Sequence, residues 1–186
     1  MLKMELTSEL MTGIRDIDDQ HRSLIAWANA VFSLGDAESE RDLAIRTARF
    51  LFAYAEYHFS AEEYAMIATA YPGLDPHRRE HLELRSRLAA LRKAVKSGAT
   101  FDAMADSLRV LLEDWLLRHI RHTDRAFARH CSQDPGARVL SLPSPEELRG
   151  SGLSLADYQD VEFVHAAGEI SPAEVKARLS GRWPRG

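Results

Sequence analysis

Between Tyr57 and Leu82 the chain reads YHFSAEEYAMIATAYPGLDPHRREHL, and this stretch holds two pairs of metal-type side chains. His58 and Glu62 stand four residues apart, and so do His77 and His81, with a Pro-Gly turn between the pairs. A spacing of four on a helix puts two side chains on one face, one turn above the other. Two such pairs across one helical hairpin would bring the donors together, because the two helices are antiparallel neighbours. His21 and His119 fall at comparable positions in two further amphipathic segments. A single core histidine reads as a hydrogen-bonded structural residue. Five of them on four helices, His21, His58, His77, His81 and His119, read as metal ligands. Glu62 adds an acid on the face of His58, and an ionised carboxylate buried alone is prohibitive unless a partner or a cation meets it. Imidazole and carboxylate donors without a thiolate suit iron, manganese or zinc. A structural zinc takes four ligands and a catalytic one three, so this set exceeds the needs of one zinc. Two metals bridged by carboxylates would use it all.

The periodicity around these residues predicts four helices. The first runs from Gly13 to about Gly35, with Ile14, Ile17, Leu24, Ala28 and Val31 on one stripe and acidic Asp16, Asp18 and Asp19 in its first turn. The second starts near Ser39 and carries Ala44, Ala48, Leu51, Ala55, His58 and Glu62, until Tyr71-Pro72-Gly73 breaks it. Asp75 and Pro76 open the third, whose stripe is His77, His81, Leu84, Leu88, Leu91 and Val95. Thr100 caps the fourth, with Leu108, Leu112, Trp115, His119, His122 and Ala126 in line and Leu117, Ile120, Asp124 and Phe127 in the adjacent row. Short connections between amphipathic helices imply an all-α, up-down-up-down four-helix bundle over residues 1–134. Ser-Pro helix starts at Ser144 and Ser171 suggest a helical hairpin tail over residues 135–186.

A formal charge of −4 and the lack of a basic run argue against a nucleic-acid groove. The longest apolar runs, such as Val110 to Leu112, are far too short to span a bilayer, and the first ten residues contain no apolar signal core. A cytoplasmic location is the expectation. Cys131 is the only cysteine, which excludes an intrachain disulfide and a thiolate-built metal site.

Four motifs, GIRDIDDQH, HFSAEEYAM, YPGLDPHRREH and WLLRHIRHTD, resemble the successive motifs of the bacterial hemerythrins over roughly residues 10–131. The resemblance implies a non-haem di-iron centre inside the bundle. On that pattern His77, His81 and His119 would hold one iron, His21 and His58 the other. Glu62 and Asp124 would bridge them, together with an oxo or hydroxo group. One assignment conflicts with periodicity. His119 and Asp124 are five residues apart, about 140° on an ideal helix, and His122 lies closer to the face of His119. The resemblance favours Asp124 and leaves His122 on the surface or behind the ligands. The chain also departs from the family, with Leu6 where a Trp is often found, which opens the question of how the N-terminal arm packs.

The implied activity is reversible dioxygen binding. The iron with two histidines would keep one position open, and Phe59, Trp115, Leu116 and Ile120 match the oxygen-pocket positions, with Leu24 and Ile25 beside them or on a gas path. Tyr54, Tyr57 and Tyr64 read as packing or surface residues. The one Glu-x-x-His spacing of the ferritin-like type, Glu162 to His165, falls in the tail. Three other readings compete: a di-iron enzyme handling peroxide, nitric oxide or iron repair; an oxygen-sensing module acting on a protein partner, or on itself, through residues 137–186; and a metal-free structural bundle.

Overall fold

A computed structural model describes residues 4–32, 38–133, 142 and 144. The expected tail, apart from Leu142 and Ser144, lies outside the described residues, as does the Glu162–His165 pair, and so do the side chains of Val31, Ala44, Ala48, Leu51 and Val95. Among the described residues the long helices are α1, Arg15–Phe32; α2, Glu38–Ala68; α3, Leu74–Lys96; and α4, residues 101–133. Each packs on the next, and α4 closes against α1. No strand occurs among the described residues. None of the described helices is long and apolar enough to cross a membrane.

Local chemistry sets the helix ends. The buried carboxylate of Asp18 accepts from the Thr12 and Gly13 backbone N–H groups at 2.7 and 3.0 Å, tying the entry turn to α1. Gly13 there has φ +82, a conformation that costs glycine little and other residues much. In the α2–α3 turn, a Cβ on Gly73 would come within 2.5 Å of the far end of the Tyr71 ring, so any other residue there would push that ring aside. The Thr100 side chain accepts from the Ala103 N–H and caps α4, as expected.

Helix α4 is the irregular one. It is α-helical over Phe101–Val110, π-helical over Leu111–Leu116, α-helical for the single turn Leu117–His119, π-helical again over Ile120–Asp124, and α-helical over Arg125–Gln133. The expected stripe therefore leaves the core: His122 is exposed and Ala126 only half-buried, while Ile120, Asp124 and Phe127 from the adjacent row are fully buried. A π turn bonds i to i+5 and adds one residue per turn, which advances the buried face by one position.

The core is one continuous cluster that includes Ile17, Leu24, Trp27, Phe59, Met66, Leu84, Leu108, Trp115 and Phe127. The N-terminal arm joins it through Met4, Leu10 and the half-buried Leu6, and Asn29 clamps the backbone of Met4 with bonds of 2.9 and 2.8 Å. Leu6 thus packs without the aromatic ring that often stands at its position. Beyond the bundle, Leu142 is buried and its N–H donates to Asp16 in the first turn of α1 at 2.9 Å.

Candidate metal centre

All seven side chains singled out in the sequence meet inside the bundle, and each is at most 1% exposed. α1 supplies His21, α2 supplies His58 and Glu62, α3 supplies His77 and His81, and α4 supplies His119 and Asp124. Regular α turns align the pairs on α2 and α3. On α4 the π turn at Ile120–Asp124 does that work, and His119 Nε2 lies 2.9 Å from Asp124 Oδ1 despite the spacing of five. His122 points away.

The donor atoms form two sets. One comprises Glu62, His77, His81, His119 and Asp124; the other comprises His21, His58, Glu62 and Asp124; within each, the donor atoms all lie within 4.8 Å of one another. Glu62 and Asp124 belong to both. In the first set His77 Nε2 is 3.0 Å from His81 Nε2, which is 3.1 Å from His119 Nε2. In the second, His21 Nε2 approaches Asp124 Oδ2 to 3.1 Å and His58 Nε2 approaches Glu62 Oε2 to 3.8 Å.

These atoms converge without bonding one another well. His21 Nε2, His58 Nε2, both oxygens of Glu62 and both of Asp124 are buried without an aligned hydrogen-bond partner. Orphaned buried polar atoms cost roughly 1–3 kcal/mol each, more for charged groups. A bundle that gathers so many at one point is built to offer them to cations. The donor chemistry agrees, since imidazole and carboxylate suit iron, manganese or zinc.

The electrostatics point the same way. Burial alone would lower the His77 and His119 imidazoles, but Asp124 and Glu62 outweigh it and raise them to about 9 and about 10. Burial would raise the carboxyls of Glu62 and Asp124, yet the surrounding imidazoles hold both below the usual carboxylate range. The cluster draws positive charge to itself. His58 differs, because burial dominates there and lowers its ring to about 3.

Further residues complete the site, and the sequence reading did not single them out. Gln20 Oε1 meets His58 Nδ1 at 2.8 Å, Glu63 Oε1 meets His81 Nδ1 at 3.0 Å, and Glu80 Oε2 meets His119 Nδ1 at 2.8 Å. Gln20 also donates to the hydroxyl of Tyr57 at 3.2 Å, giving that buried tyrosine more than a packing role. Arg85 and Arg78 reach Glu63 at 2.9 and 3.0 Å. Each of Gln20, Glu63 and Glu80 is the chain neighbour of a cluster residue, His21, Glu62 or His81. Adjacency was the available signal. Helical neighbours point about 100° apart, so a reading by faces passes over them.

The four residues expected to line an oxygen pocket, Phe59, Trp115, Leu116 and Ile120, are all buried. Phe59 stacks on His81 at 4.2 Å between ring centroids, and Trp115 stacks on His119 at 4.5 Å. Leu116 and Ile120 are buried beside them in sequence. A small apolar cavity lies against Phe59 and Leu116, bounded also by Leu24, Ala55, Leu84 and Leu112. Ile25 is buried but outside that cavity lining. Tyr54 is buried, and Tyr64 is exposed.

Comparison with known proteins agrees with this geometry. A bacteriohemerythrin of Stenotrophomonas maltophilia is 32% identical over 120 residues, covering 64% of this chain and 76% of the relative. A bacteriohemerythrin of Methylococcus capsulatus is 26% identical over 120 residues, with 64% and 89% covered. Myohemerythrin-1 of Phascolopsis gouldii is 29% identical over 110 residues, with 59% and 78% covered. No solved structure is a significant match. Residues 12–131 match the family described as the hemerythrin HHE cation binding domain, and the chain belongs to that family.

Proposed function

We propose that this protein binds dioxygen reversibly at a non-haem di-iron centre, for storage, delivery or sensing, rather than acting as an enzyme. One observation carries the reading: two fully buried donor sets share Glu62 and Asp124. In the proposal His77, His81 and His119 would hold one iron and His21 and His58 the other, with Glu62 and Asp124 shared between them. Two irons held so would supply the electrons and the coordination site that dioxygen binding needs. The histidines that remain to the chain are consistent with binding rather than oxygenation, since oxygen-activating ferritin-like centres are built mainly from carboxylates.

The protein's part is to shape and dry the site. Phe59, Trp115, Leu116 and Ile120 are proposed to line the dioxygen position, with the apolar cavity beyond Phe59 and Leu116 behind it. Apolar walls keep water from competing and hold the dielectric low. Bulky rings stacked on His81 and His119 also fix the orientation of those imidazoles. The role is assigned to residues 1–134, and residues 137–186 are proposed to serve a protein partner or self-association.

Metal analysis combined with absorption spectra under air and under argon tests this. Two irons per chain are expected, with a visible charge-transfer band that bleaches when oxygen is removed and returns when it is restored. A single metal, or a band lost irreversibly with turnover of peroxide, would overturn the reading; the latter would point to a di-iron enzyme.

A further inference from the structure

Each of the first three helices uses the chain neighbour of a cluster residue to hold a histidine on the following helix. Gln20 of α1 meets Nδ1 of His58 on α2, Glu63 of α2 meets Nδ1 of His81 on α3, and Glu80 of α3 meets Nδ1 of His119 on α4. The Nε2 atoms of these three rings face the cluster, so Nδ1 is the nitrogen that carries the proton and the partner oxygen accepts it. The three holding groups are not equivalent. The two on the three-histidine side are carboxylates. The one on the two-histidine side is a neutral amide; each side also has one ring, His21 or His77, whose Nδ1 has no hydrogen-bond partner among the described residues.

A carboxylate behind a ligating imidazole draws on the Nδ1 proton and makes Nε2 a stronger donor; an amide carbonyl does this less. We propose that Glu63 and Glu80 are positioning residues that make the three-histidine half the tighter cation position. Gln20 leaves the two-histidine half the weaker one, so cations fill the halves in order and leave in the reverse order. The inference rests on reading the centre as a site for two cations. Glu80 should matter more than Glu63. Its second partner is the neutral hydroxyl of Thr123, at 3.0 Å, whereas Glu63 shares its charge with Arg85 and Arg78.

Equilibrium withdrawal of iron from the loaded full chain by a graded chelator tests the order. Two separate withdrawals of one equivalent each are expected. Glu80→Gln should ease the second withdrawal roughly 10–100-fold and leave the first in place. Glu63→Gln should do the same to a smaller extent. Gln20→Glu should make the first withdrawal harder by about tenfold, narrowing the gap. A residue that only supports the fold would not tighten binding in this way. A single two-equivalent withdrawal would overturn the proposal, and so would Glu80→Gln acting on both steps alike or on the first alone. So would a folded Gln20→Glu chain, judged by circular dichroism, with an unchanged first step. If Gln20→Glu does not fold, the selectivity of Glu80→Gln decides, since that side chain is 43% exposed and leaves the core intact. Ordered withdrawal from a chain that shows no oxygen-dependent band would sink the dioxygen reading and leave this one standing. A reversible band with one-step withdrawal would do the opposite.

Discussion

The α2–α3 hairpin and helix α4 deliver side chains to the same point by different means. On the hairpin, His58 with Glu62 and His77 with His81 sit four apart on regular α turns. On α4, His119 and Asp124 sit five apart, and a π turn absorbs the extra residue. The regular spacing makes the hairpin's register rigid, because each added or lost residue turns the helix by about 100°. This π turn is the second in α4, after Leu111–Leu116, and such bulges occur often at functional sites. The lesson is that a helix can move its core face by one position through a widened turn and so offer a ligand off the 3.6 period.

Single-residue deletions break the comparison most sharply. Removing Ser60, between His58 and Glu62, swings Glu62 out of the cluster, and we expect loss of both bound metals by elemental analysis. Removing the exposed His122 lets the π turn close into an α turn with the acid four residues after His119. We expect that variant to keep its metals. Equal metal loss in the two deletions would show that the π turn is required in itself.

The rings stacked on each side offer a milder test. Phe59 belongs to α2 and Trp115 to α4, and both are buried. Truncation of either to alanine should cost about 3–5 kcal/mol in chemical denaturation. Faster escape of bound dioxygen should accompany it if these residues wall the site. A dissociation rate unchanged in both variants would remove them from the proposed pocket.

The smallest effect concerns the metal-free chain and pH. His77 on α3 and His119 on α4 are raised to about 9 and about 10 from an ordinary 6.5. Their contribution to stability is complete below 6.5 and is lost as pH rises through 9 to 10. His58 on α2 is lowered to about 3, so below 6.5 the unfolded chain takes up a proton that the buried ring refuses. Glu62 and Asp124, held low, contribute stability that disappears only in stronger acid. The thermal midpoint of the metal-free protein should therefore peak near pH 6.5 and fall more steeply on the alkaline side, where two groups titrate. A midpoint level from pH 6 to 10 would contradict this balance.

Much of the site was legible because helical periodicity converts spacing into a shared face. Polar residues in the stripes of α1, α2 and α3 named His21, His58, Glu62, His77 and His81 without any structure. Asp124 was legible only through the motif resemblance, since the stripe pointed to His122. Gln20, Glu63 and Glu80 escaped because they flank the cluster residues in the chain and act across to the next helix. That contact depends on how two helices face each other, which no single helical pattern encodes.

By itself the amino-acid order determined that four amphipathic helices would form and that histidines and acids would replace apolar residues on their inner faces. Both follow from local sterics and the period of the α-helix. Tertiary packing decided the rest: which turn of α4 would widen, so that Asp124 rather than His122 faces inward, and which neighbouring group would stand behind each imidazole. Those choices follow from fitting four faces around one buried cluster of charge, where a misplaced polar atom costs more than a distorted turn.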